Sequence, residues 1–313
     1  MRLLLVKKKT IEEVIKELRN QVSQFKDKEE TTTEKHQIWS LKKTLILHDY
    51  VRPFLTILRN YNYKKIHYHD LFSGTGFLKI NGKIMPGTPL VPLLTTNELI
   101  KERKDLYFDS VHFSDKDGKS IRLLKKRVNA LKGNLKADII TETGTFKKIT
   151  YDNFSGFKPI DKHRYDNAHL VVLDPYGFDV EWEYLQRILK SGAVDVILTF
   201  PSKLANWTKT MPNSKPKLDK MFGSDEYENL DSAEEFVTEY CYKIQDIPVD
   251  WRLKTQSMIV EAGMQTYHLI CISRSTGAFY VFKDLQKKFD SITTDQLEGM
   301  FNSAIGNSIE QYF

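Results

Sequence analysis

Cysteine is scarce in this chain of 313 residues, occurring only at Cys241 and Cys271. Two distant cysteines without a Cys-x-x-Cys pair exclude a disulfide framework and a cysteine zinc site, and no metal site is predicted. The scarcity favours a reducing, cytoplasmic setting, because disulfide-rich chains belong to oxidising compartments.

Long hydrophobic runs are also missing. The longest apolar stretches have the length of a β-strand, short of the roughly 18 to 20 residues that a membrane-spanning helix needs. The apolar start of the chain is too short for a signal peptide, and no small-residue cleavage site follows it. The sequence therefore predicts a soluble protein that is neither exported nor inserted into a membrane.

Neither sign of charge dominates, since 47 lysines and arginines stand against 41 acidic residues, a net charge of +6. This small basic excess permits contact with nucleic acid without requiring it. With 41% hydrophobic residues the chain can bury a large core, which excludes collagen-like, disulfide-scaffold and wholly disordered proteins.

Two helices are predicted before any strand. Apolar residues recur at three- and four-residue spacing over residues 10–24. After a charged, threonine-rich break, a second helical pattern covers about residues 36–58, interrupted or kinked at Pro53. We therefore predict an N-terminal helical extension over residues 1–60 and a main domain over residues 61–313.

The main domain alternates short apolar runs with helical windows, which is typical of a wound α/β sheet. The predicted strands cover residues 66–72, 110–114, 137–141, 169–173 and 194–200. A C-terminal hairpin is predicted from residues 258–261 and 267–273, and residues 202–220 are predicted as a long polar loop. The fold class is thus a Rossmann-like, mostly parallel seven-stranded sheet with an antiparallel hairpin. Such a sheet binds its ligand at the carboxyl ends of its strands.

The first strand ends in Asp70-Leu71-Phe72-Ser73-Gly74-Thr75-Gly76. Alternate glycines allow a tight turn and a close approach of backbone N–H groups to a ligand, while Asp70 can accept hydrogen bonds from a cationic or hydroxylated group. Lys79 replaces the third glycine of a dinucleotide fingerprint, and a P-loop sequence is absent, so NAD and FAD are disfavoured. The segment resembles the cofactor loop of class I S-adenosylmethionine-dependent methyltransferases. A purely structural turn is the alternative.

The second strand ends in Phe113-Ser114-Asp115-Lys116-Asp117. A carboxylate at this place in nucleoside-binding folds accepts hydrogen bonds from both ribose hydroxyls. We predict this role for Asp115, with Asp117 as the alternative. Asp117 also suits the N-terminal cap of the helix that starts near Gly118.

The fourth strand runs into Asp174-Pro175-Tyr176-Gly177-Phe178. Asp174 and the backbone beside Pro175 can accept hydrogen bonds from an exocyclic amine, and Tyr176 or Phe178 can stack on a base. The segment resembles the DPPY-type motif of amino-methyltransferases, and more closely its DPFG form in tRNA guanine-N2 dimethyltransferases. The alternative is a turn that merely begins the next helix.

Basic residues surround Trp207 in the predicted 202–220 loop, Lys203 among them. Basic groups interleaved with an aromatic ring suit single-stranded nucleic acid. A solvated face is the alternative.

These motifs, in this order, resemble one family, the three-Cys-motif partner proteins, whose members look like class I methyltransferases. The resemblance spans about residues 36–290. Its further features are a helix carrying His36 and Lys42, the segment Gly87-Thr88-Pro89-Leu90 and a late strand with Tyr267-His268-Leu269.

The resemblance implies S-adenosylmethionine as the cofactor and a three-cysteine-motif protein as a partner. The implied cofactor-binding residues are Asp70, Phe72, Gly74, Gly76, Asp115 and Glu142, the last as the acid that contacts the adenine. The implied reaction is N-methylation of a nucleobase in RNA or DNA. Its catalytic residues would be Asp174, Pro175, Tyr176 and Gly177, and its substrate-binding residues Phe178, Trp207 and Lys203.

Two alternatives stay open. In the first, the chain is a non-catalytic scaffold for the three-cysteine-motif protein. In the second, it methylates a small molecule under a lid formed by residues 202–220. No oligomeric state is predicted.

Overall fold

The computed structural model describes residues 9–23, 25, 38–131, 135–154, 165–211, 213–262 and 265–306. The predicted family residue His36 lies outside the described residues. The strands are β1 (Lys65–Asp70), β2 (Phe77–Ile80), β3 (Lys83–Pro86), β4 (Ser110–Asp115), β5 (Asp138–Thr143), β6 (Asn167–Leu173), β7 (Ala193–Phe200), β8 (Lys254–Ala262) and β9 (Gln265–Ser273).

The α-helices surround these strands, and a short 3-10 helix covers Glu226–Asn229. In chain order they are α1 (Ile11–Val22), α2 (Ile38–Asn60), α3 (Leu90–Glu102), α4 (Gly118–Leu131), α5 (Phe146–Phe154), α6 (Trp182–Lys190), α7 (Ser202–Thr208), α8 (Lys215–Phe222), α9 (Ala233–Gln245), α10 (Thr276–Asp290) and α11 (Thr294–Gly306). None of these helices is both long and apolar enough to span a membrane.

Seven strands form one sheet in the order β5-β4-β1-β6-β7-β9-β8. The strands from β5 to β7 pair in parallel, whereas β9 runs antiparallel to both β7 and β8. The fold class predicted from the sequence is therefore confirmed, and the predicted ends of the five parallel strands are correct within two residues. The first strand, β1, lies in the middle of the sheet. Strands β4 and β5 follow on one side of it, and β6 and β7 on the other, so strand order reverses between β1 and β6. Ligands of open parallel sheets bind at this place.

Helices cover both faces of the sheet because side chains alternate along each strand. On β6, Leu170 and Val172 belong to a first hydrophobic core with residues of α1, α2, α3, α4, α10 and α11. Val171 and Leu173 belong to a second core with residues of α5 to α9. Helix α2 contributes to the first core along most of its length and continues through Pro53, so the proline does not interrupt it. The predicted division at residue 60 stays a prediction.

The prediction of a long polar loop over residues 202–220 is wrong, because α7 and α8 occupy most of this stretch. These helices have only seven and eight residues, so each contributes a short apolar face, and α8 also carries three lysines. In α8 this face is Leu218, Met221 and Phe222, which are buried. The helix ends at Gly223, whose φ of +71° is the left-handed conformation typical of a glycine after a helix.

Candidate functional site

Strand β1 ends in the fully buried carboxylate of Asp70. Its Oδ2 accepts a hydrogen bond from the Thr88 hydroxyl at 2.7 Å, and its Oδ1 accepts one from the Phe72 backbone N–H at 3.2 Å. Burial, together with the charges of Asp174 and Asp115, raises the pKa of Asp70 to about 7, although these two hydrogen bonds oppose the rise. A carboxylate of this kind is stabilised by a nearby cation.

The two glycines after β1 have positive φ angles, +54° at Gly74 and +85° at Gly76, but they serve different purposes. A Cβ added to Gly76 would lie 2.7 Å from the Leu124 side chain, so Gly76 allows close packing. A Cβ added to Gly74 would meet nothing within 4 Å. The backbone at Gly74 therefore borders open space, where a ligand can approach the chain.

Asp115, the last residue of β4, faces the same turn. Its Oδ2 accepts a hydrogen bond from the Gly74 N–H at 2.9 Å, and its Oδ1 accepts one from the Asp117 N–H at 2.8 Å. Each oxygen of a carboxylate has a second lone pair, so Asp115 can also receive two hydroxyl groups. Asp117 instead caps α4, accepting from the Lys119 N–H and from the N–H and hydroxyl of Ser120.

The predicted adenine contact, Glu142, lies on the neighbouring strand β5. Its Oε2 is 3.3 Å from Nε2 of the buried His112. Phe72 lies nearer the turn, with its ring centroid 5.4 Å from that of Phe146. The structure thus brings Asp70, Gly74 and Asp115 together, whereas Glu142 interacts with a histidine of the sheet.

Asp174 follows β6 and forms an ion pair that the sequence did not predict. Lys43 Nζ, from α2, donates to both carboxylate oxygens at 2.5 Å. The Lys43 side chain is 6% exposed and that of Asp174 24% exposed. Burial lowers the pKa of Lys43, while the charges of Asp174 and Asp70 oppose this change. The ammonium also lies 4.2 Å from the ring centroid of Trp39.

The sequence contained a signal for Lys43. It stands four residues from both Trp39 and Leu47, on the face of α2 that packs inward. A lysine on the buried face of an amphipathic helix needs a charged partner. The family resemblance pointed instead to Lys42, whose Nζ donates to the backbone oxygens of Ile259 and Ile292 at 3.3 and 3.5 Å.

The residues that follow Asp174 in the predicted motif differ in their exposure to solvent. Tyr176 is 91% exposed, and Gly177 turns the chain with a φ of +84°. Pro175 is buried, and Phe178 packs into the second hydrophobic core. Tyr176 is therefore the aromatic ring of this motif that lies open to solvent, two residues after Asp174.

Trp207 and Lys203 lie on α7, directly after the carboxyl end of β7, which is the same edge of the sheet. Trp207 is 44% exposed, and Lys203 Nζ lies 5.5 Å from its ring centroid. Other lysines of this stretch are in ion pairs, Lys209 with Asp231 at 2.9 Å among them. The basic charge around Trp207 is thus partly neutralised.

A small cavity lies between α2 and the strands β6, β7 and β9, next to Asp174. It is lined by Lys43, Leu47, Thr88, Val172, Asp174, Ile197, Thr199 and Leu269. Its polar end is the Lys43–Asp174 pair, and its other walls are largely apolar.

Comparisons with known proteins find no matching family model and no matching curated protein. Among solved structures, Trm1 from Pyrococcus horikoshii with S-adenosyl-L-methionine is 14% identical, with a TM-score of 0.38 over 76% of this chain and 57% of that chain. An O-methyltransferase from Bacillus cereus with SAH is 10% identical, with a TM-score of 0.40 over 86% and 93%. Protein LPL1258 from Legionella pneumophila is 10% identical, with a TM-score of 0.45 over 81% and 93%.

This chain therefore spans little more than half, 57%, of the Trm1 chain. Because these identities are low and the TM-scores lie below 0.5, the proposals for this chain rest on the geometry of its own site.

Proposed function

We propose that this protein is an S-adenosylmethionine-dependent methyltransferase whose acceptor is an exocyclic nitrogen of a nucleobase in RNA or DNA. The observation that carries the proposal is the gathering of three carboxylates, Asp70, Asp115 and Asp174, around an open glycine turn at the switch point of a parallel sheet. These carboxylates lie 45 to 104 residues apart along the chain. Helix capping and turn formation explain neither the burial of Asp70 nor the cluster.

The residues present fit the cofactor. The space beside Gly74 admits a ligand to the backbone, and Asp115 keeps lone pairs for the two ribose hydroxyls. The buried Asp70 gains from a nearby positive charge, which S-adenosylmethionine carries. When bound, the cofactor supplies an electrophilic methyl group on a sulfonium ion.

The contribution of the chain to methyl transfer is mainly positioning. Asp174 accepts a hydrogen bond from the acceptor amine and fixes the direction of its nitrogen. The exposed Tyr176 ring holds the plane of the base by stacking. No strong general base is needed, because the amine becomes acidic once methylated and then loses its proton. The exposed Trp207 with Lys203 extends the surface available to a nucleic-acid strand.

The cofactor proposal is tested by calorimetry of S-adenosylmethionine binding. We expect micromolar binding by the wild type and at least a tenfold loss in Asp70→Ala and in Asp115→Ala. Asp117→Ala is the matched control, because this carboxylate lies two residues away, is exposed and caps α4. Equal losses in Asp115→Ala and Asp117→Ala would contradict the assignment.

The acceptor proposal is tested by transfer of a labelled methyl group to pools of RNA and DNA. We expect Asp174→Ala to lose at least a hundredfold in turnover while its affinity for the cofactor changes little, since this carboxylate orients the acceptor. Unchanged turnover of Asp174→Ala on an identified substrate would refute its role.

A second candidate is a non-catalytic partner of a three-cysteine-motif protein. Two observations favour it. Asp174 already forms an ion pair with Lys43, and Glu142 contacts His112, so both carboxylates have partners within the chain. It predicts a folded wild-type chain that binds no S-adenosylmethionine but binds that protein. The calorimetry above, repeated with the partner added, distinguishes the two functions.

A further inference from the structure

Lys43 pairs with Asp174 at the place where the proposed function puts the acceptor amine, and Lys43 itself has no part in the reaction described so far. We propose that Lys43 is a specificity-determining residue that restricts the acceptor site to a neutral amine, such as the exocyclic amine of a base, and excludes an alkylammonium ion. The inference rests on the proposed function and concerns the choice of acceptor at the same site.

Lys43 leaves Asp174 able to bind a neutral amine. Its ammonium group contacts one lone pair on each carboxylate oxygen, so the outer lone pairs stay available. The Asp174 side chain remains 24% exposed although it is paired with Lys43. A neutral amine can donate one N–H there without bringing a second charge into the site.

An alkylammonium ion meets a different situation. It would have to share Asp174 with Lys43, so that two cations compete for one carboxylate in a partly buried place. The ion would lose its hydration without gaining an uncompensated negative charge. The other nearby carboxylate, Asp70, interacts with Lys43 as well and is fully buried.

Lys43 is also held in place, so a competing cation cannot easily displace it. Its stem belongs to the buried face of α2, and its ammonium group lies over the Trp39 ring. Trp39 in turn stacks on Tyr267 of β9, with ring centroids 4.9 Å apart and planes 15° from parallel. The charge is thus a built part of the site.

The test uses n-butylammonium chloride, a mimic of the lysine side chain, with potassium chloride of equal ionic strength as the reference. Thermal unfolding of the cofactor-free chain is measured in Lys43→Ala, in wild type and in the control Lys42→Ala. We expect a saturable rise in the unfolding midpoint only in Lys43→Ala, because only this variant leaves an empty slot beside Asp174. Adding Asp174→Asn should abolish the rise. A rise in wild type, or none in a folded Lys43→Ala, would overturn the proposal.

If Lys43→Ala does not fold, the wild type alone decides. Labelled methyl transfer to nucleosides and RNA is compared with transfer to spermidine and to a lysine-containing peptide. We expect at least a hundredfold preference for the neutral acceptors, and efficient methylation of either cationic acceptor would overturn the inference. Absence of any cofactor binding would instead refute the proposed function. Where Lys43→Ala folds, the butylammonium measurement needs no cofactor and still tests whether Lys43 neutralises Asp174.

Discussion

At the scale of single residues, the site contains a carboxyl group whose burial opposes folding. Asp70 has its pKa raised to about 7 by burial, above its ordinary 3.8. An acid whose pKa is raised by folding contributes most to stability when it is protonated, which is below about pH 4 here. This contribution is lost as the pH increases from about 4 to 7. At pH 8 the full penalty is present. The role that we propose for Asp70 therefore opposes stability at this position.

We expect Asp70→Asn to unfold at a higher urea concentration than wild type at pH 8, with about 2 kcal/mol of added stability. The asparagine can keep one accepted hydrogen bond without carrying a charge. At pH 4 the gain should shrink to about 0.5 kcal/mol, because Asp70 is then protonated in the folded chain and partly protonated in the unfolded chain. An equal gain at both pH values would mean that burial of the charge is not the cause.

The two glycines of the turn after β1, Gly74 and Gly76, should respond differently to substitution by alanine. Gly76→Ala places a Cβ 2.7 Å from Leu124 at a positive φ, so we expect a loss of about 2 to 4 kcal/mol in unfolding free energy. Gly74→Ala meets no atom within 4 Å and should cost only about 1 kcal/mol of backbone strain. Its methyl group enters the space that we assign to the ligand.

Urea unfolding and calorimetry with S-adenosylmethionine separate these effects. Gly74→Ala should stay folded and lose binding, whereas Gly76→Ala should lose stability first. Full binding by Gly74→Ala would place the cofactor elsewhere.

Residues of the site were predictable from the sequence where they end a strand. Asp70 and Asp115 end β1 and β4, Asp174 directly follows β6, and the carboxyl ends of parallel strands meet at one edge. Lys43 was not predicted, because it reaches Asp174 from a helix 131 residues earlier in the chain. Nothing local to residues 174–178 shows that Phe178 packs into the core while Tyr176 points to solvent.

At the scale of elements, the sequence patterns failed to predict the short strands and helices. The hairpin of β2 and β3 has four residues in each strand, too few for alternation to be recognised. Its turn, Asn81-Gly82, has φ angles of +48° and +76° and is a strong hairpin signal that we did not use. Helix α5 was missed as well, and its nine residues contain few apolar positions.

A row of histidines crosses the sheet on the face of the second core. His67 and His69 lie on β1, His112 on β4 and His169 on β6. His69 Nε2 and His169 Nδ1 are 3.1 Å apart, and the rings of His67 and His169 stack at 4.8 Å. Burial lowers the pKa of all four histidines, that of His169 to about 3. The row is therefore neutral in the folded protein near pH 7.

We expect this row to make the fold sensitive to acid. A histidine whose pKa is lowered on folding contributes its full stability above about pH 6.5, and this contribution falls as the unfolded chain takes up a proton. Between pH 7 and pH 5 the loss is about 2 kcal/mol for each histidine that stays neutral. His169→Asn should flatten the pH dependence of the unfolding free energy by that amount. Identical slopes for wild type and His169→Asn would refute the idea.

At the scale of the whole molecule, the two N-terminal helices belong to the same core as the sheet. Leu45, Val51 and Leu55 of α2 are at most 1% exposed and pack in the first core with residues of β1 and β4. Tyr50 stacks on Phe282 of α10 at 4.2 Å and donates a hydrogen bond to Asp195 of β7. Helix α1 lies further out, against α11 and β3. The predicted extension thus contains one helix at the edge of the core and one inside it.

Two truncations test how far residues 1–60 can be removed. A chain of residues 61–313 loses α2, which exposes the apolar surface of α3 and α10, removes Lys43 and leaves Asp174 without its partner. We expect it to aggregate or to melt without a cooperative transition.

A chain that lacks only residues 1–25 loses the outer helix and should fold with a lower unfolding midpoint while still binding S-adenosylmethionine. Circular dichroism melts, size-exclusion chromatography and calorimetry measure these outcomes. A cooperatively folded 61–313 chain that binds the cofactor would show that α2 is an appendage, because a helix that completes the core and the acceptor site cannot be removed without loss of both.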